Sequence, residues 1–173
     1  ESGQGGAVMR QILSILVENH AGVLARVANL FARRGFNIEN LAVGTTHNPE
    51  ISRITVSVLA DDEEISQIVK QLHKLPIVLI VKRLEADAHF SRELVFIKVT
   101  CDETTRTSVL QIVDIFRGHI VDVSPSTATI EISGDSDKIR ALQELLAPYG
   151  ILEMVRTGLI AIERGERVLN LED

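Results

Sequence analysis

The segment Glu18–Val27 reads ENHAGVLARV and carries residue types that could bind a small polar ligand. The amide of Asn19 both donates and accepts hydrogen bonds. Gly22 lets the backbone approach a ligand closely and adopts dihedral angles that other residues avoid. If a helix begins directly after this loop, the N–H groups of Gly22, Val23 and Leu24 point out of its start and form an anion site suited to one carboxylate.

The same loop also fits a tight turn that carries no ligand. Asn19 would then cap the helix or order the turn, and Gly22 would only supply the backbone freedom that a turn needs. Loops of this composition are common between elements of secondary structure. Taken alone, the loop leaves both interpretations open, the ligand site and the structural turn.

The rest of the chain offers few residues for catalysis or metal binding. None of the five histidines stands at ligand spacing from another histidine or from the single cysteine, Cys101, so we expect no metal site. The sequence has no Gly-x-Ser-x-Gly nucleophile elbow and no P-loop. We expect Cys101 to be a buried small side chain rather than a nucleophile. Several acidic residues precede predicted helices and fit a first helical turn better than a cation site, namely Asp61–Glu64, Asp102, Glu103, Asp135 and Asp137.

Composition excludes several classes of function. The 173 residues are 45% hydrophobic and 24% charged, which is typical of a globular protein. A net charge of -6 and an aromatic content of 3% argue against a nucleic-acid partner, which needs a basic face and stacking rings. No apolar run approaches the roughly 20 residues of a membrane span. The single cysteine fits a reducing, cytoplasmic setting.

Apolar periodicity predicts the elements that position the loop. In the first half of the chain their order is β-α-β-β-α-β. They are a strand at Ile12–Val17, a helix from Val23 to a stop at Gly35, strands around Phe36–Val43 and Ile51–Val58, a helix ended by Pro76 and a strand at Ile77–Val81.

The same order repeats after a short polar segment. The second set comprises strands at Leu94–Val99, Ile120–Val123 and Ala128–Ile132, helices over Val109–Phe116 and Ile139–Leu146, and a last strand from Ile151 that continues through Ile162. Each half matches the ferredoxin-like βαββαβ unit. We therefore predict an α+β protein with two tandem units of this kind.

The predicted division of the chain follows from these patterns. Residues 1–8 have the character of a cloning remnant or leader, 9–84 form the first domain, 85–92 a linker, 93–165 the second domain and 166–173 a tail. Strands such as Ile12–Val17 are apolar at alternate positions on both faces, so the sheet face without helices needs cover by another sheet or another subunit. For that reason we expect a dimer.

The letters of the chain also resemble a known family. The chain is similar to the small, regulatory subunit of acetohydroxyacid synthase, also called acetolactate synthase. The similar stretches are MRQILSILVENHAGVLARVANLFARRGFNIENLAVG, SRITVSV, QIVKQLHKLPIV and IFRGHIVDVSPSTATIEISG. The resemblance runs from Met9 to about Gly165. It implies that the first unit is an ACT domain and the second is an ACT-like domain of the same fold.

The resemblance implies a regulatory role in branched-chain amino acid biosynthesis. This subunit has no active site; it activates the catalytic large subunit and confers allosteric feedback inhibition by valine. Thiamine diphosphate, Mg and FAD are expected in the large subunit and no cofactor in this chain. A free-standing amino-acid sensor of the ACT class and an enzyme on a ferredoxin-like scaffold are the alternatives. The block Phe116–Val123 argues against the first, and the lack of an acid–base constellation argues against the second.

The resemblance also implies a position for valine, at the interface of two ACT domains in a homodimer. One chain would contribute Asn19, Gly22, Val23 and Leu24. The second chain would contribute Asn37 and Ile38. Leucine and isoleucine stay open as effectors, because an apolar pocket discriminates one methylene by only about 1–3 kcal/mol.

Overall fold

The computed structural model describes residues 6–171 and divides the chain into two compact units. The first unit contains the chain up to Phe90 and again from Leu159, and the second contains Ser91–Gly158. Residues 1–5 of the predicted leader and residues 172–173 of the predicted tail lie outside the described residues.

The first unit contains an antiparallel sheet and two helices. Its elements are β1 (Met9–Glu18), α1 (Val23–Arg34), β2 (Asn37–Thr45), β3 (Ile51–Ala60), α2 (Asp62–His73) and β4 (Val78–Leu84). The strand order is β2-β3-β1-β4, so β2 is an edge strand. The predicted βαββαβ order is confirmed.

The second unit repeats this architecture. Its elements are β5 (His89–Thr100), α3 (Arg106–Ile115), β6 (His119–Val123), β7 (Thr127–Gly134), α4 (Ser136–Leu146), a short 3-10 helix (Ala147–Tyr149) and β8 (Ile151–Arg156). The strand order is β6-β7-β5-β8. A ninth strand, β9 (Ile160–Glu163), pairs with β5.

Helical spacing and end signals explain α1 and α2. Val27 and Phe31 of α1 are fully buried, and Gly35 ends the helix in the left-handed conformation at φ 66°. Asp61 caps α2 by accepting a hydrogen bond from the Glu64 N–H at 2.8 Å. The acidic block therefore belongs to a helix start, in agreement with its structural interpretation, and His73 is the last residue of α2.

The core of the first unit lies between the helices and one face of the sheet. Leu13, Ile15 and Val17 of β1 point to this side together with alternate residues of β3, and all are buried. The other face carries Ile12, Ser14 and Leu16, which are buried as well. Both faces of β1 are therefore covered within one chain.

Two predicted boundaries differ from the structure. The last strand does not run from Ile151 through Ile162, because it ends at Arg156 and the chain turns at Gly158, where φ is 84°. β9 then lies in the first compact unit, although its residues fall within the predicted second domain of 93–165. β5 already begins at His89, inside the predicted linker 85–92.

Candidate functional site

The loop between β1 and α1 leaves the helix start without a side-chain cap. Gly22 is the N-cap residue with φ 85° in the left-handed region, which glycine adopts without strain. No side chain accepts a hydrogen bond from the first turn, and the first turn holds no acidic residue. A helix start of this kind attracts an anion through its N–H groups and its dipole.

The three backbone donors predicted here are not equivalent. The Val23 N–H donates to the His20 carbonyl at 3.4 Å and closes the turn. Within residues 6–171, the N–H groups of Gly22 and Leu24 have no acceptor. Val23 is buried against the core, whereas the Leu24 side chain is 43% exposed and can contact a ligand. Two of the three predicted N–H groups are thus available.

Asn19 orders the loop through one end of its amide. Its Nδ2 donates to the Pro49 carbonyl at 2.8 Å, and its backbone N–H donates to the Glu50 carbonyl at 2.8 Å. Asn19 therefore orders the turn and does not cap α1. Its Oδ1 accepts no hydrogen bond from the described residues. The structural role and a ligand role are compatible, because they use different atoms of one amide.

An open depression of about 470 Å³ lies beside the loop and has Asn19 in its wall. It is lined by Glu18, His20 and Glu50, but not by Gly22, Val23 or Leu24. His20 Nε2 donates to Glu18 Oε2 at 2.8 Å, and this bond raises the pKa of His20. With two carboxylates in its wall, the depression is a poor place for a ligand carboxylate, so it is not the predicted site.

Asn37 and Ile38 lie far from the loop within one chain. Asn37 pairs with Leu59, which pairs with Arg10 near the start of β1, whereas the loop follows Glu18 at its end. Eight residues of an extended strand span roughly 26 Å. Asn37 is exposed and Ile38 packs partly against the core. The structure therefore does not bring the six predicted site residues together in a single chain.

Sequence reasoning missed Asn40. Its Oδ1 accepts a hydrogen bond from the Leu159 N–H at 3.0 Å across 119 positions of the sequence. The register of β2 against β3 shifts between Ile38 and Asn40, and this bulge turns Asn40 to the sheet face opposite the helices. No local pattern announces such a shift, so no sequence signal points to this contact.

Few of the other described residues could bind a metal ion or take part in a reaction. Among them, no group of three or more His, Cys, Asp and Glu side chains could hold a metal ion. Cys101 is a buried free thiol in the core of the second unit, as predicted. Asp102 accepts hydrogen bonds from Thr104 and Thr105, which lower its pKa. No helix in the described part of the chain is long and apolar enough to cross a membrane.

Two family models match the chain, one over each half. A model described as the AHAS small subunit-like ACT domain matches residues 13–80. A model described as the small subunit of acetolactate synthase matches residues 92–165. The models that match the two halves of the chain therefore both describe an acetolactate synthase small subunit.

Individual relatives agree with the family models. The acetolactate synthase small subunit of Aquifex aeolicus is 52% identical over 92% of this chain and 83% of its own length. The protein of the same name from Mycobacterium leprae is 49% identical over 90% of this chain and 92% of its own length. The crystal structure of the acetolactate synthase small subunit from Thermotoga maritima is 42% identical, covers 92% of this chain and 99% of its own, and superposes with a TM-score of 0.86.

Proposed function

The chain belongs to the acetolactate synthase small-subunit family, and from this premise we propose that it activates the catalytic large subunit and confers feedback inhibition by valine. The observation that carries the proposal is the uncapped start of α1 behind Gly22. In this proposal the large subunit holds thiamine diphosphate, Mg and FAD, and this chain supplies no cofactor. It acts in the cytoplasm, where a free thiol such as Cys101 stays reduced.

The valine carboxylate binds at the helix start in this proposal. The unpaired N–H groups of Gly22 and Leu24 donate to it, and the helix dipole adds to the attraction. The ammonium group donates to Asn19 Oδ1, which has no other partner in the described chain. The exposed Leu24 side chain contacts the branched side chain of the ligand.

A second copy of the chain completes the site. β2 is the edge strand of its sheet, so its outer hydrogen-bonding groups can pair with another strand. If two β2 strands pair antiparallel, Asn37 at the start of one lies beside Thr45 at the end of the other. Thr45 pairs with Ser52, which pairs with Val17 just before the loop. Antiparallel pairing thus carries Asn37 and Ile38 of the second chain to the loop end of the first sheet.

The effect on the large subunit follows from linkage. Valine shifts the enzyme toward an inhibited arrangement only by as much as it binds that arrangement better. A residue that touches valine therefore changes the valine concentration needed for inhibition, without acting on the reaction itself.

Isothermal titration calorimetry of the purified chain with valine, leucine, isoleucine and alanine tests the proposal. We expect saturable binding of valine at one site per chain, weaker binding of leucine or isoleucine, and none of alanine. The same valine concentrations must inhibit the enzyme reconstituted with the large subunit. If the reconstituted enzyme is inhibited to the same extent at every valine concentration, the proposal is contradicted. It is also contradicted if this chain activates the large subunit equally in the absence and presence of valine.

A further inference from the structure

A segment near the end of the chain crosses the helix-free face of the first sheet. We call Leu159–Glu163 the crossing segment. The Leu159 N–H donates to Asn40 Oδ1 at 3.0 Å, and Arg53 Nη2 donates to the Ala161 carbonyl at 3.0 Å. Lys82 Nζ lies 3.0 Å from Glu163 Oε1. The three anchors stand on β2, β3 and β4, so the segment touches three strands of the sheet.

The surface beneath the crossing segment includes buried polar side chains beside the apolar Ile12 and Leu16. Ser14, Thr55 and Ser57 are buried on this face, and the Oγ atoms of Ser14 and Ser57 have no hydrogen-bond partner among the described residues. Buried Arg53 Nε is also without a partner there. Ala161 forms a small apolar cluster with Ile12 and Leu84, and the Leu159 side chain is buried as well.

Two hydrogen bonds and one ion pair hold the segment at three points. The buried side chains of Leu159 and Ala161 add apolar contact to these bonds. The unpaired buried hydroxyls of Ser14 and Ser57 offset part of this stabilisation. The anchors therefore contribute to holding the crossing segment in place, and the loss of one anchor weakens its hold on the sheet.

The first anchor adjoins the proposed effector site. Asn40 stands two positions after Ile38 on β2, and the register shift lies between them. A ligand that holds Asn37 and Ile38 acts on the same short stretch of strand. The ladder is locally disrupted at a bulge, so the strand is less tightly fixed to its neighbour between Ile38 and Asn40 than elsewhere.

The crossing segment is also tied to the chain that enters the second unit. The Arg164 N–H donates to the Ala88 carbonyl at 2.7 Å, and Arg164 Nε donates to the His89 carbonyl at 3.2 Å. Its guanidinium lies 5.6 Å from the ring centre of Phe90. The second unit begins at Ser91 and ends at Gly158.

We propose that the crossing segment is the regulatory link of the effector site, and that Asn40 is the residue through which effector binding changes the position of Leu159. The inference rests on the proposed function, because it needs an effector at Asn37 and Ile38. Asn40 is a positioning residue and does not touch the effector. In the contrary case the segment is a fixed cover that plays no part in regulation.

Three variants of the full chain, reconstituted with the large subunit, separate these cases. Asn40→Ala removes the acceptor for the Leu159 N–H, and Asn40→Asp retains an oxygen there. Ser124→Ala is the matched control, since it removes an oxygen that accepts from the Thr127 N–H at 2.9 Å in the second unit. Valine affinity is measured by calorimetry, and the maximal inhibition by saturating valine is measured in the enzyme assay.

We expect Asn40→Ala to bind valine within about threefold of the wild-type affinity and to lose at least half of the maximal inhibition. Asn40→Asp and Ser124→Ala keep both. If Asn40→Ala binds valine and is fully inhibited, the inference is wrong while the proposed function stands. If the wild-type protein neither binds valine nor responds to it, the proposed function fails first.

Hydrogen exchange of the wild-type chain gives a readout that does not depend on any variant. Saturating valine must change the exchange rates of amides in Leu159–Glu163 several-fold, with amides of α4 in the second unit as the internal reference. Unchanged rates in the crossing segment, with valine bound, overturn the inference even where Asn40→Ala does not fold.

Discussion

Asn19 and Asn37 stand at opposite ends of one sheet, roughly 26 Å apart along β1 by the rise of an extended strand. A single amino acid cannot touch both residues of one chain. If both bind the same ligand, each belongs to a different copy of the protein, and each dimer holds two equivalent sites. This geometry yields a test of the dimeric site that single substitutions cannot provide.

Mixing two variants that each bind valine weakly should restore sites of wild-type affinity. Gly22→Asp alters the loop and Asn37→Ala alters the start of β2. Each variant alone therefore has weakened valine binding at both sites of its dimer. A mixed dimer carries both lesions in one site and none in the other. After random exchange of equal amounts, about a quarter of all sites are intact. Calorimetry that finds no recovered sites, with mixed dimers shown by mass spectrometry, contradicts a shared site.

The charge of the ligand can be tested at Gly22 itself. Asn and Asp both tolerate the left-handed conformation, and a Cβ at Gly22 meets nothing within 4 Å. Gly22→Asn is therefore a matched control for Gly22→Asp. We expect Gly22→Asp to weaken valine binding at least tenfold more than Gly22→Asn, because its carboxylate repels the carboxylate of valine. Equal affinities of the two variants in calorimetry would place the ligand carboxylate elsewhere.

Much of the fold could be predicted because its signals are local. Val27 and Phe31 follow helical spacing and are buried, and Gly35 stops the helix. The strand at Ile12–Val17 is apolar at both parities, which correctly indicates that both of its faces are covered. Because this strand and this helix can both be predicted, the position of the loop with Asn19 between them can be predicted as well.

The remaining features depend on contacts between distant parts of the sequence. The sequence predicts that another sheet or another subunit covers the helix-free face, whereas β9 supplies part of the cover within the first unit. Ile160 and Ile162 alternate like the end of a long strand, and only the turn at Gly158 separates them from β8. The side on which Asn40 lies depends on one bulge. Neither the turn nor the bulge has a pattern that periodicity can detect.

Asn37→Ala tests the second half of the site without disturbing the fold. The Asn37 side chain is exposed and has no hydrogen-bond partner in the described chain. The free energy of unfolding should therefore change by less than about 0.5 kcal/mol. Valine binding should weaken by about 1–3 kcal/mol, since a polar group of the ligand loses its partner. A variant that binds valine as the wild type does would leave Asn37 with no role in the site.

The pKa of His20 should depend on Glu18. The hydrogen bond to the Glu18 carboxylate, supported by the Ala21 carbonyl, raises the pKa of His20 above its ordinary value of 6.5. The stabilisation from this pair is fully present below pH 6.5 and is lost as the pH rises through the raised pKa. In an NMR titration, Glu18→Gln should lower the His20 pKa and Glu50→Gln should leave it unchanged. Equal shifts in both variants would point to a general charge effect instead.

The second unit contains a buried carboxylate, Glu93, whose side-chain partner among residues 6–171 is Arg156. The Glu93 side chain is fully buried, and Arg156 donates to both of its oxygens, with Nε 3.3 Å from Oε2. Arg156→Met leaves the charge buried and unpaired, so the free energy of unfolding should fall by about 3 kcal/mol.

Two further variants separate this effect from the loss of a surface charge. Glu93→Gln combined with Arg156→Met should lose less stability than Arg156→Met alone, because a neutral amide costs less to bury than a carboxylate. Arg140→Met removes an exposed ion pair with Asp137 and should cost less than about 0.5 kcal/mol. Urea unfolding measures all three variants. If Arg156→Met costs no more than Arg140→Met, water reaches Glu93 and the pair contributes as a surface pair does.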